Sequence, residues 1–129
     1  MKKILVEVSV GELLDKLSIL EIKKLKIKDN KNLKFINDEY DILNNQFKNK
    51  IKIDEKIIEL FNSLKYINGK LWDIENEKRL CEKNSDFGEK FIKTSRDIHF
   101  LNDKRGRVKL EINNYTGSKI KEIKEYTSY

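Results

Sequence analysis

Ile57, Leu60, Leu64, Ile67, Leu71 and Ile74 recur at alternating spacings of three and four residues, and Cys81 follows one heptad later. This is the helical period, kept without a break for about three heptads. An apolar stripe of that length needs an equally long neighbour to cover it. It predicts long antiparallel helices packed about 20° off parallel. The chain contains no Pro to interrupt such helices.

Similar stripes recur on both sides. Val10, Leu13, Leu14, Leu17, Leu20 and Leu25 form one over a first helix from about Val10 to Lys28. Ile19 and Ile22 fall on a second face, so this helix is expected to be covered from two sides. Ser9 and Glu12 stand in the S-x-x-E spacing of a capping box at its start. Asp29–Asn32 reads as a turn. A second helix follows from about Leu33 to Lys48, with Leu33, Ile36, Tyr40, Leu43 and Phe47 on one side. Asp54 is the expected N-cap of the third helix. Gly69, inside that helix, predicts a close helix approach. Ser85 is the expected N-cap of a fourth helix from about Asp86 to Asn114, on which Phe87, Phe91, Thr94, Ile98, Leu101, Arg105, Val108 and Ile112 align. Gly117 suits its left-handed end. Ser118–Tyr126 reads as a last short helix, and the alternation in Lys2–Val8 as a short strand with no partner downstream. The fold expected is all-α: one domain over residues 1–129, an antiparallel helical bundle built on long helical hairpins, with a short N-terminal extended segment. Leu64, Ile67, Leu71, Ile98 and Leu101 are placed at its centre.

The 129 residues suffice for one core without staples, and the single Cys81 excludes an internal disulfide. The opening apolar run is too short, and broken by Glu7, for a secretory signal. No segment approaches the roughly 20 apolar residues of a membrane span. A cytoplasmic protein without membrane contact is expected. The net charge of +6 suggests nucleic acid, but Lys and Glu interleave as on solvated helix faces. Nucleic-acid binding is therefore an unfavoured alternative. Against so many lysines, the four arginines at 79, 96, 105 and 107 stand out, because a planar fork recognises carboxylate or phosphate.

Several polar residues sit where packing alone would want Leu. Glu21 falls in the apolar stripe between Leu14 and Leu17, so its carboxylate must be paired or neutralised. Arg105 interrupts the stripe of the fourth helix, flanked by Ser95, His99, Asn102, Gly106 and Asn113, with Asp103 and Arg96 further round. These predict either a satisfied buried network or a polar pocket between helices, with Arg105 opposite Glu21 or a bound anion. Glu12 and Asp15, one turn apart, have the spacing used by helical bundles that bind Mg²⁺. The matching half is missing from the core helices, so no metal ligands are assigned. His99 reads as a hydrogen-bonded packing residue, Cys81 as a small core residue, and Trp72 as a packing residue or a shield for a polar site. No phosphate loop, zinc spacing or nucleophile elbow occurs.

Three segments, VSVGELLDKLSILEIK at Val8–Lys23, LWDIE at Leu71–Glu75 followed by Arg79, and NDKRGRVKLEIN at Asn102–Asn113 followed by GSKIKEIKEY, carry a resemblance. With Ser95, Arg96, Glu122, Lys124 and Tyr126 they resemble a family of small bacterial and phage proteins described as a domain of unknown function. The resemblance spans nearly the whole chain and implies no activity. Its only functional hint is a link to surface-glycan processes. The expected function is a helical binding or adaptor module for an anionic small molecule or protein partner. The site residues expected are Glu12, Asp15, Lys16, Glu21, Trp72, Arg96, His99, Asn102, Asp103 and Arg105. An alternative is a Mg²⁺-dependent phosphohydrolase of the all-α nucleotide pyrophosphatase type. The unpaired arm and the exposed Ile19 and Ile22 further suggest a homodimer, with cover by the C-terminal segment as the rival explanation.

Overall fold

A computed structural model describes residues 2–129. Four helices follow one another: α1 (Val10–Lys26), α2 (Asn30–Lys50), α3 (Glu55–Lys83) and α4 (Glu89–Thr116). They pack as an all-helical bundle, with no strand among the described residues.

Cross-helix bonds give the direction of each element. Glu12 meets Lys109 and Asp15 meets Arg105, so α1 and α4 are antiparallel. Lys56 near the start of α3 meets Glu111 near the end of α4, so these too are antiparallel. Asp15 bonds Asn68 while Lys26 reaches Asp73, so α1 runs with α3. α1 touches all three other helices, whereas α2 lies along α1 alone.

The main core joins Leu14 and Leu17 of α1, Ile57, Leu60 and Leu64 of α3, and Ile112 of α4, each at most 4% exposed. Tyr40, Leu43 and Phe47 of α2 close it from outside. Ile67, Leu71 and Ile98 continue the α3–α4 seam, with Leu101 and Val108 packed beside them. α3 has 29 residues and α1 only 17. At 1.5 Å per residue α3 is longer by roughly 18 Å. The α3–α4 hairpin therefore outruns α1, and a cleft lies between the C-terminal half of α1 and the seam.

The caps agree with the sequence at two starts and depart from it at a third. Ser9 Oγ accepts the Glu12 N–H at 3.0 Å, and Asp54 accepts the Ile57 N–H at 2.9 Å. α2 begins at Asn30, within the expected turn, because Asp29 accepts the Asn32 N–H and caps it. α4 begins three residues later than expected. Gly88 is its N-cap, without a side-chain bond, and Ser85 instead turns the chain in the left-handed region at φ 53°. Gly117 ends α4 at φ 68°, as its lack of a Cβ permits.

Other expectations fail for identifiable reasons. Residues 2–9 form no strand; Ile4, Leu5 and Val6 are exposed and have no ladder to join. Residues 118–129 form no fifth helix and cross α4 as an irregular strap. Leu25 is exposed because α1 ends one residue later. The close approach lies at Gly11, not Gly69. A Cβ at Gly11 would stand 2.6 Å from Lys109 O, while one at Gly69 would meet nothing within 4 Å. Ile22 is buried within the bundle and Ile19 faces the cleft, while the C-terminal strap lies against α4 instead of over this face.

Candidate functional site

α1 turns Gly11, Asp15, Ser18 and Ile22 toward the α3–α4 seam, and all four are buried. A carboxylate at Asp15, 2% exposed, must find compensation there. Arg105 supplies it as a two-pronged clamp: Nε donates to Oδ1 at 3.0 Å and Nη2 to Oδ2 at 2.5 Å. Asn68 Nδ2 adds a donor to Oδ1 at 2.9 Å and also reaches Ser18 Oγ at 2.8 Å. Ser18 Oγ in turn donates to the Asp15 carbonyl at 2.8 Å. The hydrogen bonds to Asp15 are the main reason the Arg105 guanidinium is held above its usual pKa.

Lys109, one turn beyond Arg105 on α4, is also buried. Its Nζ donates to Glu12 and Glu122 at 2.9 Å each and lies 3.9 Å from Asp15. Burial pulls its pKa down. The bonds to Glu122 and Glu12 and the field of Asp15 outweigh that and leave it raised. Glu122 is correspondingly lowered by its bond to Lys109. Glu12 thus lends its backbone N–H to Ser9 but its carboxylate to Lys109, so the expected capping box closes on one side only. Asn113 completes the junction: its Oδ1 accepts the Gly11 N–H at 2.7 Å, while Ser118 Oγ accepts from Val10 at 3.3 Å. Three side chains thus satisfy first-turn donors that helix geometry leaves open.

Arg105, held from behind by Asp15, forms one wall of the cleft beside α1. This cleft, about 400 Å³, has Ile19 and Ile22 on one side, Asn68, Leu71, Trp72, Glu75, Asn76 and Arg79 of α3 on another, and Asn102 and Arg105 of α4 opposite. With Nε and Nη2 committed to Asp15, Arg105 retains Nη1. Among the described residues, the acceptor for Nη1 is Asn102 Oδ1, at the long distance of 3.5 Å. Arg79 forms no ion pair among the described residues.

Of the residues singled out in the sequence, Glu12, Asp15 and Arg105 come together, and Trp72, Asn102 and Arg105 meet in the cleft. Glu21 does not join them. It faces α2 and α3, accepting from Tyr40 Oη at 3.0 Å and Lys65 Nζ at 2.9 Å. Burial first, then the Glu21 bond, raises the Tyr40 phenol to about 12. Lys16 is exposed, 3.9 Å from Glu39. Arg96 lies over the Phe100 ring on another side of α4. His99 and Asp103 belong to a separate hollow under the strap, where Tyr129 packs on His99 and donates to Asp103. Among the described residues, no group of three or more His, Cys, Asp and Glu side chains is placed to hold a metal. The carboxylates of Glu12 and Asp15 point to Lys109 and Arg105.

The model of a family of unknown function, DUF6165, matches residues 3–129. The chain belongs to this family. No curated protein and no solved structure matches it. The matched region takes in the whole bundle, the arm from residue 3 and the strap, so the Lys109–Glu122 junction lies inside the family's extent. Among the described residues no helix is long and apolar enough to cross a membrane.

Lys109, Asn68 and Ser18 of the network escaped the sequence reading. Lys109 looks like any of the interleaved lysines; its only signal is its place one turn after Arg105, beside the apolar stripe. Asn68 precedes Gly69 in a helix otherwise striped with Leu and Ile. As a poor helix former next to core Ile67, it was the readable hint of a buried polar partner.

Proposed function

We propose that this protein is a non-catalytic binding module that holds an anionic group, from a small molecule or a partner's carboxylate, in the cleft between α1, α3 and α4. The observation that carries the reading is the clamp on Arg105. Asp15 fixes the guanidinium from behind through two N–H donors and leaves Nη1 on the cleft wall. Such fixing reduces the ordering cost of binding. Arg79 lines the same cleft as an exposed guanidinium free of any ion pair among the described residues. Together they offer planar donors suited to carboxylate or phosphate.

Titration calorimetry with acetate, inorganic phosphate and pyrophosphate tests this directly. At least one is expected to bind, and Arg79→Gln is expected to weaken it about tenfold or more, the loss of a charged hydrogen bond. Absence of heat with all three at millimolar concentration, or binding untouched by Arg79→Gln, would refute the assignment.

A further inference from the structure

The cleft holds more than a place for an anion. Glu75 and Arg79 are four residues apart on α3, with the acid first, the order that best favours an ion pair along a helix. They form no ion pair with each other or with any other described residue, yet both line the cleft. An uncommitted carboxylate and an uncommitted guanidinium about one turn apart are a poor receptor for a polyanion, because Glu75 repels it. They suit a ligand that carries both signs. Trp72, three residues before Glu75, also lines the cleft, and an indole face attracts an ammonium. The remaining surface from Ile19, Ile22 and Leu71 is apolar.

On these grounds, and resting on the anion-binding reading above, the geometry points to a zwitterion with an apolar body, an α-amino acid with an aliphatic or aromatic side chain, as the ligand of this cleft. Its carboxylate is received by Arg79 and by Nη1 of Arg105. Its ammonium is received by Glu75 beside the Trp72 ring. Its side chain lies on Ile19, Ile22 and Leu71. The amides of Asn76 and Asn102, also in the lining, remain as donors and acceptors at the rim. Neither charge of such a ligand needs a counterion brought from solvent.

Calorimetry on the full chain with L-leucine and L-phenylalanine, each beside its des-amino carboxylate (4-methylpentanoate, 3-phenylpropanoate) and its decarboxylated amine, decides the matter. The amino acids are expected to bind about tenfold or more tighter than either single-charge analogue. Glu75→Gln is expected to weaken the amino acids and erase their advantage, while the carboxylate, relieved of a repelling charge, binds as tightly as before or tighter. Arg79→Gln is expected to weaken both. Both substitutions fall at exposed positions, and unchanged far-UV circular dichroism verifies folding. If the carboxylates bind as tightly as the amino acids, or Glu75→Gln changes nothing, the zwitterion assignment is overturned while the anion site stands. If neither amino acids nor carboxylates nor the inorganic anions bind, both fall together.

Discussion

Replacing Asp15 by Ala, Arg105 by Ala, and both at once tests whether the buried pair behaves as a unit. Asp15 is 2% exposed, and the Arg105 side chain retains 29% of its surface. Removing the acid frees a guanidinium that can turn toward the cleft and water. Removing Arg105 strands a carboxylate with only Asn68 and a lysine at 3.9 Å. Breaking a buried pair generally costs about 3–5 kcal/mol. The asymmetry of exposure places Asp15→Ala toward the lower end and Arg105→Ala toward the upper. The double variant loses both charges together, so its cost should fall short of the sum by about 1.5 kcal/mol or more. Urea unfolding at pH 7, followed by far-UV circular dichroism and extrapolated linearly, measures all four corners of the cycle. Additive costs, or an Arg105→Ala penalty below about 1 kcal/mol, would show that the pair is a surface contact in energetic terms and refute the reasoning.

Gly11→Ala should destabilise by about 1–3 kcal/mol, since its Cβ would stand 2.6 Å from a backbone oxygen of α4; an unchanged unfolding midpoint would contradict the close approach. Leu64→Ala, at a position of zero exposure where α1 and α3 meet, should cost roughly 2–5 kcal/mol in the same assay. Ser95 Oγ is buried without a hydrogen-bond partner among the described residues, so Ser95→Ala should leave stability unchanged or raise it by up to about 1 kcal/mol; a clear loss would reveal a partner. Tyr40 has a folded-state pKa raised from 10.0 to about 12, so its contribution is complete below pH 10 and is lost as pH rises toward 12. Tyr40→Phe should remove that part of the alkaline decline, which paired unfolding curves at pH 9 and pH 11.5 would detect.

The helical character of the chain was legible because periodicity is a local property. The stripe from Ile57 to Leu71 faces inward as read, and the Ser9 and Asp54 caps work over three residues. Pairings across helices were legible only as demands. Glu21 was recognised as needing a partner, and it has two, but they come from α2 and α3 because α2 lies along that face of α1. Asp15 drew attention for its spacing to Glu12; its real distinction is that it shares a face with Gly11 and Ser18, the small residues that let α4 and α3 come near. The arm and the strap were misread for one reason. Alternation in Lys2–Val8 and the spacing of Ile120 and Ile123 are too short to enforce a secondary structure without a surface to receive their apolar side.

The capping of α1 by groups near the other end of the chain sets an order of events during synthesis. Val10 and Gly11 wait for Ser118 and Asn113, which are 108 and 102 residues further on. At a translation rate of about 5–20 residues per second, this is a delay of several seconds or more. For that interval α1 carries open backbone donors and an acid, Asp15, whose clamp at Arg105 has not been made. The α3–α4 hairpin, whose contacts are closer in sequence, can assemble first, and α1 then docks onto it. A chain stopped before Asn113 would retain every apolar residue of the main core and still leave its first helix without its distant cap. The helix made first is the one completed last.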